Sequence, residues 1–167
     1  MIIFQFRMLS DENDHFVRDY EVPADMTLVQ FHDFIRETLE YEESMVSFYT
    51  ADERWEKLRE FTLMDMGDDA PNAPLPMASV TLRQILFHLH DRLVYQFDLF
   101  ANRAYYLELT GVESAREEFS YPRERFAHGT VPDQFDPDAT PDDGSIFDEM
   151  MNEFNDFEGD DSYDDDY

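Results

Sequence analysis

The sequence has no cysteine, five glycines, and 12 Lys+Arg against 40 Asp+Glu in 167 residues. Without cysteine there is no disulfide framework, thiolate nucleophile, iron–sulfur site or Cys-type zinc site. The small number of basic residues leaves a formal net charge of −28. No direct nucleic-acid binding is expected, because neutralising phosphates needs basic side chains. The same balance disfavours docking on an anionic membrane. No apolar run approaches the ~18 residues of a spanning helix, and the first residues lack the basic segment of a signal peptide. A soluble, cytoplasmic protein of one domain, with room for an appendage, is the expectation.

What charge there is falls unevenly. Residues 1–112 hold 21 acidic and 9 basic residues, whereas residues 113–167 hold 19 and 3, and no Lys or Arg follows Arg125. Pro122, Pro132, Pro137 and Pro141 punctuate this second stretch. Such a composition reads as a strap over 113–132 that packs back on a folded domain, followed by an acidic tail.

In the first segment Ile2, Phe4, Phe6 and Met8 alternate with Gln5 and Arg7, the period-2 pattern of a half-buried strand. A polar cluster, Ser10–Asp14, leads to Phe16, Arg18, Tyr20 and Val22, which complete a hairpin. Arg18 interrupts that apolar face, so it belongs near a sheet edge or beside a carboxylate. After Pro23 the period becomes helical. Thr27 and Gln30 form a capping box, and Leu28, Phe31, Ile35 and Leu39 make one stripe of a helix over 28–40. Thr81 and Gln84 repeat the signature before Leu82, Ile85, Leu86 and Leu89, which predicts similar docking of a second helix.

Strands are expected at Met45–Thr50, Lys57–Leu63, Leu93–Leu99 and Ala104–Val112, with a loop over 65–78. The order β-β-α-β-β-α-β-β gives an α+β domain with a mostly antiparallel sheet and both helices on one face.

Pro23, Thr27, Leu28, Gln30, Phe31 and His32 match the helix start of the plasmid pRiA-type ORF-three-like family. Tyr95, Phe97, Leu107, Glu108 and Leu109 fit its late hairpin. That family's Asp-Phe-Gly-Asp turn is matched only by Asp98 and Leu99, with Tyr105 or Tyr106 as the aromatic after it. The stretch from Tyr121-Pro122-Arg123 through Gly129, Pro132 and Gln134 resembles the end of the same domain. The resemblance covers roughly residues 1–135. It implies an α+β domain associated with mobile elements, with no established reaction or catalytic residues. It also implies that residues 112–135 are a C-terminal strap belonging to the domain, and that 136–167 are the acidic, flexible tail.

Candidate chemistry is sparse. His88 and His90 do not have the i, i+4 spacing of a helical chelate, and His32 sits beside the apolar stripe as a flank residue. Asp142-Asp143-Gly144 resembles part of an EF-hand loop, but the decisive ligand positions fall on Ala139, Pro141 and Met150. There is no Gly-rich phosphate cradle and no Gly-x-Ser-x-Gly elbow. No catalytic residue, cofactor or metal site is therefore assigned.

The tail carries the one unexplained pattern. Ile146, Phe147, Met150, Met151, Phe154 and Phe157 recur at helical spacing behind Ser145, which can cap. A short helix over 145–157, with Phe147, Met150, Met151 and Phe154 as the docking residues, either packs on its own domain or enters a partner's groove. The expected function is a non-enzymatic protein-interaction or structural domain, whose partner is a protein that is basic or has an apolar groove. The alternatives are an enzyme or divalent-metal binder with an acidic site, and an acidic nucleic-acid mimic.

Overall fold

The computed structural model describes residues 1–67 and 70–135. The alternation near the amino terminus becomes the antiparallel pair β1 (Ile2–Ser10) and β2 (Val17–Pro23). Phe4, Phe6, Met8, Tyr20 and Val22 are buried on one face. Helix α1 (Leu28–Leu39) follows, with the Thr27–Gln30 capping box formed in both directions. Its buried side chains, Leu28, Phe31, His32, Ile35 and Leu39, lie against the sheet. The Phe31 ring sits 5.1 Å from Phe6 and 5.7 Å from Phe48. Each such side chain contributes about 1.5–3 kcal/mol when fully buried. Packing therefore outweighs the modest propensity of a twelve-residue helix. Glu40 ends α1 in the left-handed region (φ 58°), its N–H donating to the Arg36 and Glu37 carbonyls.

Strands β3 (Ser47–Ala51) and β4 (Lys57–Thr62) form the next hairpin, and β5 (Leu75–Pro76) adds a short parallel pairing to β4 inside the predicted loop. A single 3-10 turn, Met77–Ser79, leads to α2 (Leu82–Ile85). Then come β6 (Arg92–Asp98), β7 (Arg103–Ser114) and β8 (Arg123–His128). The eight strands run β5-β4-β3-β6-β7-β1-β2-β8, all pairs antiparallel except β4–β5. The fold is α+β, both helices burying apolar side chains in the one core cluster.

The two Thr-Leu helix starts meet. Thr27 and Thr81 form an antiparallel bridge, with Leu28 N–H donating to the Val80 carbonyl and Leu82 N–H to the Met26 carbonyl, each at 2.9 Å. The similarity seen in sequence is thus a shared backbone junction.

Two expectations need correction. Helix α2 stops at Ile85 rather than reaching Leu89. The Asp91 carboxylate captures the N–H groups of Phe87 (2.8 Å) and His88 (3.0 Å), which leaves Phe87 and Leu89 exposed. The strap contains a strand, β8, paired along β2. Arg18, expected near a sheet edge or beside a carboxylate, lies one strand in from the edge and beside Glu124. It is buried beneath β8, its guanidinium donating to the carbonyls of His128 (2.6 Å) and Gly129 (3.1 Å), 3.7 Å from Glu124 and over the Phe16 ring. Gly129 closes this strand at φ 86°, where a Cβ would lie 2.4 Å from the His15 carbonyl oxygen. Only glycine fits both the dihedral and the space.

Candidate functional site

On the sheet face away from the helices, most polar side chains satisfy one another. Arg7 and Asp19 pair through two 2.9 Å bonds, Glu21 bridges Gln5 and Arg123, and Lys57 donates to Gln96. Such mutual satisfaction suits the solvated side of an antiparallel sheet.

One region of that face is different. The turn joining β3 to β4 is organised by Asp52, whose Oδ1 accepts from the N–H groups of Arg54 (2.8 Å) and Glu56 (3.0 Å). Asp52 and Glu56 also pair through the backbone at 3.0 Å, and Trp55 N–H donates to the Asp52 carbonyl at 3.0 Å. This forces Trp55, the sole tryptophan, into the left-handed region at φ 64°. A non-glycine residue there costs on the order of 1–3 kcal/mol, and such strain concentrates at functional positions.

The turn folds the indole back over the sheet. Tyr106 of β7 meets it edge to face at 5.3 Å, and the Arg92 guanidinium lies 4.5 Å from its centre. Arg92 is itself held by the Glu53 carbonyl and by Glu108, 3.4 Å away. Trp55, Tyr106, Leu9, Ser10 and Asp11 line a cleft of about 400 Å³. Leu9 lies opposite Tyr106 in the β1–β7 register, which places the apolar wall beside the aromatic one. The Asp11 carboxylate accepts from the Tyr106 hydroxyl at 3.3 Å. Burial first, then the charges of Asp11 and Glu12, push that hydroxyl's pKa up. The cleft is aromatic, partly apolar, and negative on its Asp11 side. No sequence motif announced it: its residues come from three separated segments.

A second cluster lies beside α1. His32 is buried rather than flanking, its Nδ1 2.7 Å from the Tyr95 hydroxyl and its Nε2 2.8 Å from Glu43. His32, Asp33 and Glu43 bring one ligand atom each within 4.8 Å. Arg36 also stands there, 3.8 Å from Asp33 and 3.6 Å from Glu43, so a cation of the protein already balances the carboxylates. Burial alone raises the Glu43 pKa, but the bond and charge of His32, with Arg36, outweigh it and lower it overall. With both imidazole nitrogens engaged, the cluster ties α1 to β6 and to the segment after the helix. His88 and His90 are exposed, and His90 Nδ1 lies 2.9 Å from Glu108, so they form no joint site.

The end of the strap is fastened by a third cluster. Arg103 is buried, its guanidinium paired twice with Glu12 (2.9 and 2.8 Å) and donating to the carbonyls of Asp133 (2.6 Å) and Gln134 (2.9 Å). The Tyr41 hydroxyl donates to the Pro132 carbonyl at 2.6 Å, and Gln134 bonds both the N–H (2.6 Å) and the carbonyl (2.8 Å) of Glu42. The tail residues Phe147, Met150, Met151 and Phe154, and the helix expected over 145–157, lie outside the described residues.

Among solved structures, the chain is similar to a protein of unknown function from Methanosarcina mazei Go1. The two share 17% identity over 75% of this chain and 69% of the other, with a TM-score of 0.61. At that identity the likeness shows the fold alone. No curated protein matches the sequence. The family pattern of the plasmid pRiA4b ORF-3-like proteins, by contrast, runs from residue 3 to residue 137, through every described strand and both helices, and the chain belongs to that family.

Proposed function

We propose that this domain is a non-enzymatic protein-binding module of the cytoplasm that works through the Trp55 face of its sheet. The observation that carries the reading is the strained turn at Trp55. A left-handed tryptophan is held in place by Asp52 so that its indole walls an open aromatic cleft instead of entering the core. Glycine or asparagine would adopt that dihedral at lower cost than tryptophan. The net charge of −28 favours a basic partner, because long-range attraction raises the rate of encounter. Among the described residues no helix is long and apolar enough to cross a membrane. In this reading Phe147, Met150, Met151 and Phe154 of the tail form a second contact, entering an apolar groove on the partner.

The test is affinity capture from cells with the full chain, Trp55→Ala and a chain ending at residue 135, at low salt and at about 0.5 M salt, where the Debye length falls to roughly 4 Å. A stoichiometric protein retained by the full chain, lost with Trp55→Ala and weakened by salt, supports the module. Identical capture by Trp55→Ala, with the variant folded by circular dichroism, refutes the role of this face. Shortening to residue 135 is expected to weaken the capture without abolishing it.

A further inference from the structure

We infer that the Trp55 cleft receives one cationic side chain, arginine or lysine, from a basic protein partner; the inference rests on the binding-module reading and specifies its ligand. Asp11 supplies the first argument. Its carboxylate accepts one hydrogen bond, from the Tyr106 hydroxyl at 3.3 Å, and has no ion-pair partner among the described residues. Glu12, Asp19 and Glu108 each have one, with Arg103, Arg7 and Arg92, whereas Glu53 and Glu56 of the Trp55 turn, like Asp11, form no ion pair among the described residues. Asp11 is therefore a carboxylate of the cleft without a counter-ion of its own.

The walls suit the same ligand. Aromatic faces attract cations through their quadrupoles, and an aliphatic stem packs on apolar surface while its charged end reaches a carboxylate. Trp55 and Tyr106 supply the rings, Leu9 the apolar surface and Asp11 the carboxylate. The protein already uses this arrangement internally, since the Arg92 guanidinium rests on Trp55 with Glu108 as its counter-ion. Because Glu108 balances Arg92, that charge does not reverse the field at Asp11. The upward push on the Tyr106 hydroxyl from Asp11 and Glu12 agrees with a negative cleft. Lys57 points elsewhere, over Tyr49 and onto Gln96. Arg54 is exposed on the turn itself and is not among the residues that line the cleft.

The experiment uses the full chain and two Gly/Ser-rich ten-residue peptides, one carrying three arginines and the other three citrullines, which keep the shape and remove the charge. Binding is read from the fluorescence of Trp55, the only tryptophan, and from the amide chemical shifts of Leu9, Asp11 and Tyr106. The arginine peptide is expected to saturate both signals, with the citrulline peptide at least about tenfold weaker, as for a lost charge-assisted hydrogen bond. Asp11→Asn should cost a similar factor, whereas Glu37→Gln, which removes an equal charge from exposed α1 surface, should change affinity less than about twofold. Arg54→Ala should strengthen binding or leave it unchanged. Equal binding of the two peptides, equal effects of Asp11→Asn and Glu37→Gln, or loss with Arg54→Ala overturns the inference. If both peptides bind equally at Trp55, the cleft remains a binding site and only the cation specificity falls. If neither peptide moves any of these signals, the inference falls while the module reading still awaits the capture result of Trp55→Ala, so the two failures are distinguishable.

Discussion

Replacing Arg103 with Met tests how the strap is held. The native side chain is 5% exposed and is the hub of a joint between the β6–β7 turn, Glu12 and residues 133–134. Its stem packs at Phe97, where the guanidinium carbon lies 4.8 Å from the ring centre, and methionine preserves much of that volume. What the substitution removes is the fork. Breaking a buried ion pair costs roughly 3–5 kcal/mol, because the surviving charge is left unpaired. Here Glu12 is 31% exposed and can partly rehydrate, so the lower part of that range applies, about 3 kcal/mol. For a domain of this size that is about 10 °C in Tm. Thermal unfolding followed by circular dichroism at neutral pH measures it. Arg103→Lys should recover part of the loss, keeping the charge without the two-pronged geometry. In a double-mutant cycle, Arg103→Met with Glu12→Gln should show at least about 1 kcal/mol of coupling. A Tm change under about 3 °C, or no coupling, would show that β8 pairing and the bonds of Arg18, Tyr41 and Gln134 hold the strap and that the Arg103 joint adds nothing.

Gly129→Ala should destabilise by about 2–4 kcal/mol, since the new Cβ meets the His15 carbonyl and the dihedral is left-handed; denaturant melts settle this, and a loss below about 1 kcal/mol contradicts the crowding. Burial pushes the Glu21 pKa up, but the bonds from Arg123 and Gln5 and the charges of Arg123 and Arg125 bring it below the ordinary value. Its stabilisation is therefore present above the unfolded pKa of about 4.3 and fades as pH falls through the lower folded value. Glu21→Gln should flatten that acid limb in melts between about pH 5 and 2, and an unchanged limb would mean that other carboxylates set it. A chain ending at residue 135 should still unfold in one cooperative calorimetric transition, because every described strand and helix precedes that point; loss of the transition would place part of the core in the tail.

Much of this fold is legible because its determinants are local. Strand alternation at Phe4, Phe6 and Met8 and the boxes at Thr27–Gln30 and Thr81–Gln84 involve residues within a few positions of one another, and all reappear in the structure. The long β6–β7 hairpin is equally local, its turn closed by Asp98 accepting from the N–H groups of Phe100 and Ala101 at 3.1 Å. The family resemblance carried by the same residues agrees with the match over residues 3–137.

Other features depended on partners distant in the chain. Helix α2 carries an adequate stripe to Leu89, yet Asp91 takes the N–H groups beyond Leu86 and leaves Phe87 outside. β8 is a strand because β2 offers it an edge, and its own pattern, Arg-Glu-Arg-Phe-Ala-His, has little alternation to show. His32 looked like a flank residue because Tyr95 and Glu43, which satisfy its two nitrogens inside the protein, lie 63 and 11 positions away. The cleft is the extreme case, made from Leu9–Asp11, Trp55 and Tyr106 only once β1, β7 and the β3–β4 turn share one face of the sheet. Period and capping act between neighbours in sequence and so determined where strands and helices form. Edge pairing, burial of polar groups and the shape of a surface arise between distant segments, and only their packing together decided them.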